Sequence, residues 1–441
     1  MSLAALSRYT AEYPALKPTL PGQDLDWLTD FRVDGFAHFS QHGFPSTREE
    51  EWRYTNVSAL EKKLFSPALK VPPNAVPQEC LNAYQLKDAW SVVLVNGHFS
   101  AELSDLAGLQ DAVKVLGMAA ALSSLPDWLQ PYLGQAVQAE AHGLVAFNSA
   151  WFTDGVFIHV PTKQVLAKPI QILHVVTQAE VLANTRNVVM VDCFSETTLI
   201  ETFVATTGEA YLSTSVTEIF AGQNAALTCY KLQAESAKAY HFSGTYVKQA
   251  QDSRFTQHDF EFGGLLARCD TQTDLGLAAE CTLNGLYSGI NRQHIDNHTR
   301  INHLQPHAIS RELYKGILDD RARGVFQGRV VVAEHAQKTD SQMNNRNLLL
   351  SNDAEVDTKP QLEIYADDVK CGHGMTVGQL EEKSVFYLQS RGVDAETARN
   401  MLTFAFANEM VDKIIFKSLH DQVLEQLLTR FPQEGVDKEW L

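Results

Sequence analysis

The densest chemical signal in the chain is a cysteine and a histidine two residues apart, with glycine between and after them. The stretch is VKCGHGMTVGQL, residues 369–380, and the pair is Cys371 and His373. A thiol and an imidazole at this spacing can hold a metal or work as nucleophile and base. They can also be ordinary strand residues. In a strand both side chains share one face, with Cβ atoms roughly 6–7 Å apart for a rise of ~3.3 Å per residue. That is long for a direct thiol–imidazole hydrogen bond. It suits two bonds to one bridging ion, at ~2.3 Å to sulfur and ~2.1 Å to nitrogen. The donor set is soft to borderline and fits iron, zinc or an iron–sulfur fragment. Two ligands leave a tetrahedral site incomplete, so others must come from elsewhere in the fold or from another chain. Gly372, Gly374 and Gly378 are spaced G-x-G-x-x-x-G. That is one residue off the dinucleotide fingerprint, and it follows no βαβ unit.

Other candidates carry less. His294, His298, His303 and His307 cluster in RQHIDNHTRINHLQPHAIS. In a strand 294 and 298 share a face, and a solvated polar sheet face accounts for them. AQKTDSQMNNRNLLL, residues 336–350, has the asparagines of a polar turn region, Asn344, Asn345 and Asn347. The chain has no G-x-x-x-x-G-K-[ST], no H-E-x-x-H and no G-x-S-x-G, so P-loop ATP hydrolysis is not expected of it.

Six cysteines, Cys80, Cys193, Cys229, Cys269, Cys281 and Cys371, form no C-x-x-C pair. They are expected to be reduced, and most of them buried as small hydrophobes. The net charge of −17 argues against nucleic acid and anionic membranes as partners. No apolar run approaches the ~20 residues of a membrane span. The opening MSLAALSRYTAEYP is too polar for a secretory signal, which predicts a cytoplasmic protein.

The elements that must position the pair follow from periodicity. Residues 1–142 are predicted to form a mainly helical N-terminal domain. Its features are apolar spacing at Leu25, Leu28, Phe31, Phe36 and Phe39, and a proline-rich linker at 66–78. A capping box, Ser46 with Glu49, predicts a helix from Thr47. AWSVVLVNG is predicted as a strand, and LAGLQDAVKVLGMAAAL as helix. From LVAFNSAW onward, over 143–380, short alternating runs such as IQILHVV, TLIETFVA and RFTQHDFEF predict strands without intervening helices. That excludes a doubly wound fold. So many short strands favour a β-solenoid over a sandwich, although no exact hexapeptide repeat is present. Helix returns over 381–441. One segment ends at Gly392, and a second is capped by Asp394 with Ala398, Met401, Leu402 and Ala405 on one face. A third carries Val423, Leu424, Leu427 and Leu428. The surplus aromatics Phe404, Phe406 and Phe416 predict burial against the solenoid's end or a docking surface for a partner.

Residues 336–393 resemble the SufB/SufD family of iron–sulfur cluster assembly proteins. GFPSTREEEWRYTN, residues 43–56, is similar to the family's N-terminal signature, and AFNSAWFTDGVFIHVP, residues 146–161, to the start of its solenoid. Within the family, Cys371-x-His373 in DDVKCGHG resembles the SufD branch. The resemblance implies a right-handed parallel β-helix between N-terminal and C-terminal helical domains. It implies a scaffold subunit without catalysis of its own. Such a subunit pairs with a SufB-like chain through the β-helices and binds the SufC-like ATPase on the C-terminal helices. The strand edge near EIYADDVKC, if left unpaired, predicts a homodimer in isolation through that edge. The resemblance also implies that Cys371 and His373 face a transient iron–sulfur cluster shared with the partner, and that a flavin acts only at the level of the complex. Met375 stands where the SufD pattern usually has alanine. Ile364 stands at the position of SufB's catalytic cysteine, and SufB's cysteine-rich N-terminal segment is lacking. The chain is therefore expected to be neither principal scaffold nor sulfur acceptor. The alternative for a solenoid is a carbohydrate-active enzyme, which would need carboxylates converging on one groove.

Overall fold

In the computed structural model, which describes residues 3–60, 62–63 and 65–432, two parallel sheets wind into a β-solenoid of about eight turns. The first sheet runs from Val156–Val160 to Glu355–Ile364, and the second from Ile170–Val176 to Lys370–Gly378. Alternation sets the faces. In the second sheet Leu199, Leu227, Cys229, Phe255, Cys281 and Leu283 point into one continuous interior, as a period of two demands.

No hexapeptide repeat is visible because the turns differ in length. Paired residues are 26 apart at Tyr240 and Leu266 but 32 apart at Arg323 and Glu355. What repeats is backbone. Phe194, Asn224, Asp252, Ala278, His307 and Lys338 each take a left-handed φ of 53–64° just before a second-sheet strand. Each donates its amide to the next turn, as in Phe194 N–H to Gln223 O at 2.9 Å and His307 N–H to Gln337 O at 2.9 Å. The ladder thus continues around the corner, and that hydrogen bond offsets the left-handed strain.

The two ends of the solenoid differ. Two antiparallel strands, His98–Asp105 and Lys114–Gly117, close the first turn. Helices Asp26–His42 and Gly143–Trp151 cover the neighbouring outer face. At the other end Glu355–Ile364 and Lys370–Gly378 are both edge strands. The C-terminal helices Ala395–Val411 and Lys417–Arg430 do not cap that end. They lie on the flank, burying Phe404, Met410, Leu419, Val423 and Leu427 against Ile200, Tyr230, Leu232, Phe260 and Ile317 of the second sheet.

Several expectations need correction. No α-helix starts at Thr47. Ser46 N–H does donate to Glu49 at 2.7 Å, but only a 3-10 turn, Glu50–Trp52, follows. The chain turns there because Trp52 is buried under Arg268, with the guanidinium 3.5 Å from its ring centre. Helix occupies only Met118–Ser124 of the segment read as helical from Leu106, and residues 143–151 are helix rather than strand. The second C-terminal helix buries Ala398, Phe404, Ala407 and Val411, while Ala405 is exposed. Phe404 is spent on the flank, with Phe406 and Phe416 packed beside it, so these three are not a free docking surface. Asp394 does cap that helix, accepting from Glu396 and Thr397 at 3.0 Å. Residues 433–441 of the predicted C-terminal domain lie outside the described residues.

Candidate functional site

Cys371 and His373 stand on the last strand of the second sheet. Cys371, His373, Met375 and Val377 pair in register with Ser341, Met343, Asn345 and Asn347. Those four are all buried, so the pair lies on the inward face, one turn beyond the sealed interior. With no further turn above, the layer is half bare. Cys371 packs partly against the core, while His373 is exposed. Met375 is 53% exposed and Val377 48%. On the other edge strand Ile364 is 40% exposed, and Tyr365 just beyond it is 63% exposed. A surface of this kind is what a second chain covers.

Sequence and local structure explain the glycines. Gly372 and Gly374 sit on the outward face, where a Cβ would meet the Gln342 and Asn344 side chains at 3.2 and 2.9 Å. They let polar side chains of the previous turn fold over the strand. They lie within a strand, with no helix start beside them, which excludes a nucleotide loop. The two edge strands are unequal templates. Glu355–Ile364 carries Pro360, which has no amide to donate. Lys370–Gly378 carries none.

The Cys371 thiol is pushed up by burial. A hydrogen bond from the Ser341 backbone lowers it and nearby Asp340 raises it. Among the described residues no three His, Cys, Asp or Glu side chains converge into a metal-holding group. Among the described residues, Cys371 and His373 have no third such side chain converging on them. All six cysteines are free, and Cys229, Cys269 and Cys281 are buried, half of the six rather than most.

Of the four clustered histidines only His307 is exposed, at a corner outside the strand; the other three do not form a solvated face. His298 is buried, with Nε2 3.0 Å from Asp296 and Nδ1 3.5 Å from Glu51. His294 lies 2.9 Å from the Thr55 hydroxyl, and His303 points into the interior with no exposure. With Arg268, the outward members His294 and His298 tie the GFPSTREEEWRYTN segment to the first sheet. His298, Arg268, Asp270 and His142 line a cavity of about 260 Å³. Local sequence does not announce this, because the partners Glu51 and Thr55 belong to the segment expected to form a separate helical domain. Asn345 and Asn347 likewise lie in a strand, not a turn. Both are buried, and Asn347 accepts from the Tyr287 hydroxyl at 2.5 Å.

The acids of that cavity do not suit the carbohydrate-active alternative. Glu51 is lowered, foremost by its hydrogen bond to His298. Burial works to raise Asp270, but Arg268 and His142 hold it well below the usual carboxylate range. Neither can serve as a protonated general acid.

Comparison with known proteins gives the family. Residues 174–406 match the family model described as SUF system FeS cluster assembly, SufBD core domain. Residues 4–172 match that of the SufBD protein N-terminal region. The chain belongs to the SufBD family of iron–sulfur cluster assembly proteins. Among its relatives, the iron–sulfur cluster assembly protein SufD of Escherichia coli is 33% identical over 399 residues, 88% of this chain and 90% of that protein. A SufBD family protein of Synechocystis is 34% identical, over 86% of each chain. The chloroplastic protein ABCI7 of Arabidopsis thaliana is 30% identical over 86% of this chain and 81% of its own. No helix among the described residues is long and apolar enough to cross a membrane.

Proposed function

We propose that this chain is a non-catalytic scaffold subunit of a SufBCD-type complex in the cytoplasm. Its uncapped solenoid end pairs with a SufB-like subunit, and Cys371 and His373 supply part of the coordination of a nascent iron–sulfur cluster held between them. The observation that carries the reading is the last turn: two unpaired edge strands and a half-bare inner layer with sulfur and imidazole donors in it. The cluster is cargo, and the partner completes its ligand set. Without that partner, the same edge pairs with a second copy of this chain. The first edge strand is interrupted by Pro360, so Lys370–Gly378 is the better template for added pairing.

The ATPase subunit docks on the C-terminal helical part, residues 381–441. With Phe404 and its neighbours engaged on the flank, we assign the contact to Phe386 and Tyr387, which are 70% and 56% exposed on helix Glu382–Gln389. Ile415, 77% exposed in the turn before the last helix, extends it. A reduced flavin belongs to the assembled complex rather than to this chain. The test is affinity purification of the tagged chain from its own cell. Val377→Asp should release the SufB-like partner and keep the ATPase, and Phe386→Asp should do the reverse. Retention of both partners by both variants would refute the two surfaces.

A further inference from the structure

A cleft of about 1010 Å³ opens between the last helix, Lys417–Arg430, and the corners where the chain leaves the second sheet for the first. Cys371 stands beside the opposite corner, at the start of a second-sheet strand. Successive corners follow the strand spacing of ~4.8 Å, so the lining forms a ladder. Its first two rungs are mainly apolar, with Ala234, Ala237, Phe262 and Leu265. The next two carry Arg292 and Arg321, and Arg430 of the helix lines the same space. The Arg321 amide donates to Asn291 O at 2.9 Å, which holds the two arginine-bearing corners in adjacent turns.

The positive charge here is poorly compensated. Arg292 is exposed and makes no ion pair among the described residues. Arg430 donates to the main-chain carbonyls of Ser288, at 3.0 Å, and Phe262. No carboxylate pairs with it among the described residues, and burial lowers it only to about 10, so it stays charged at neutral pH. Arg321 meets Asp353 through Nε at 3.5 Å, which leaves both terminal nitrogens unpaired. Two further acids of the lining are already engaged, Glu235 with His241 at 2.6 Å and Asp320 with the Asn291 amide at 3.0 Å.

Guanidinium groups match phosphate oxygens in a two-pronged geometry, and unpaired charge at the wall of a cleft draws anions into it. The volume is at the upper end for small-molecule sites and far exceeds one inorganic ion. Two arginines one turn apart suit two linked phosphates, and the apolar rungs beyond them suit a flat base. We propose that this cleft binds a nucleoside diphosphate, with its phosphates on Arg292, Arg321 and Arg430 and its base over Ala234, Ala237 and Leu265. The site is separate from the cluster end of the solenoid and needs neither metal nor partner subunit.

The test is calorimetric titration of the isolated full chain with ADP, pyrophosphate and adenosine. ADP should bind saturably, one per chain, and more tightly than either fragment. Arg292→Gln and Arg430→Gln should each weaken ADP roughly tenfold, the size of one hydrogen bond to a charged group. Arg292 is exposed, so its variant tests the site without disturbing the packing of the helix. Arg254→Gln makes the same change of charge at an exposed position on the opposite corner and should leave ADP binding as it is. Absence of saturation at millimolar ADP, or unchanged affinity in Arg292→Gln, overturns the proposal. So does equal weakening by Arg254→Gln, which would reduce the effect to net charge. Pyrophosphate binding as tightly as ADP would overturn the role of the base, and adenosine doing so would overturn that of the arginines.

Discussion

Glu312 gives the interior of the solenoid a measurable dependence on pH. It lies on the inner face of strand Ile309–Leu318, fully enclosed, and no cation pairs with it among the described residues. Burial raises its carboxyl from 4.5 to about 7, weakly opposed by Thr299. Below pH 4.5 the group is neutral in both folded and unfolded chains, and its contribution to stability is fully present. Between 4.5 and 7 the unfolded chain ionises while the folded one does not, so stability falls as pH rises and the loss is complete above the folded value. At about 1.4 kcal/mol per pKa unit, the part lost between pH 5 and pH 8 is about 2.5 kcal/mol. Glu312→Gln keeps the shape and cannot ionise. Urea unfolding followed by tryptophan fluorescence at the two pH values should show the variant gaining about 2.5 kcal/mol on the wild type from pH 5 to pH 8. Glu261, also raised to about 7, titrates in both proteins and cancels. A difference between variant and wild type that is the same at both pH values would refute the reasoning.

Other outcomes follow from the same packing. Trp52→Ala removes a buried ring from beneath Arg268 and should destabilise the chain by about 3–5 kcal/mol in urea unfolding. A loss below about 1 kcal/mol would mean the 43–56 segment is not anchored as described. Removing residues 394–432 should expose Ile200, Tyr230, Phe260 and Ile317 and cause aggregation by light scattering, whereas Phe386→Asp should leave melting unchanged because its side chain is solvent-facing. Thr376→Pro, on the free edge strand, should shift the isolated chain from dimer toward monomer in sedimentation. An unaffected dimer would place self-association elsewhere.

How much of this was legible follows from period and reach. Strands such as IQILHVV and RFTQHDFEF carry a local alternation, so the solenoid could be read from the residues alone. The placement of Cys371 and His373 on one face followed from the same period, and the structure bears it out. What was hidden depends on residues far apart in the chain. Glu51 meets His298 and Arg329 across more than two hundred positions, and no local pattern announces that. The asparagines of QMNNRN carry turn propensity, yet their amides bond the Tyr287 hydroxyl and one another inside the sheet, and tertiary context outweighed propensity. The face of helix Ala395–Val411 was misjudged for a similar reason. Its partner is a concave sheet flank that takes Phe404 and Met410, not the smaller Ala405.

The central claim is that Cys371 and His373 hold part of a nascent cluster at the partnered end of the solenoid. The most direct test is the iron and acid-labile sulfide content of the complex co-purified with His373→Ala, measured with its subunit stoichiometry. The account predicts that iron and sulfide fall sharply while the subunits remain together, with a smaller fall for Cys371→Ser because a partner thiolate can substitute. Wild-type iron and sulfide in an intact His373→Ala complex would contradict it, as would loss of the cluster only together with loss of the partner, which would make these residues structural.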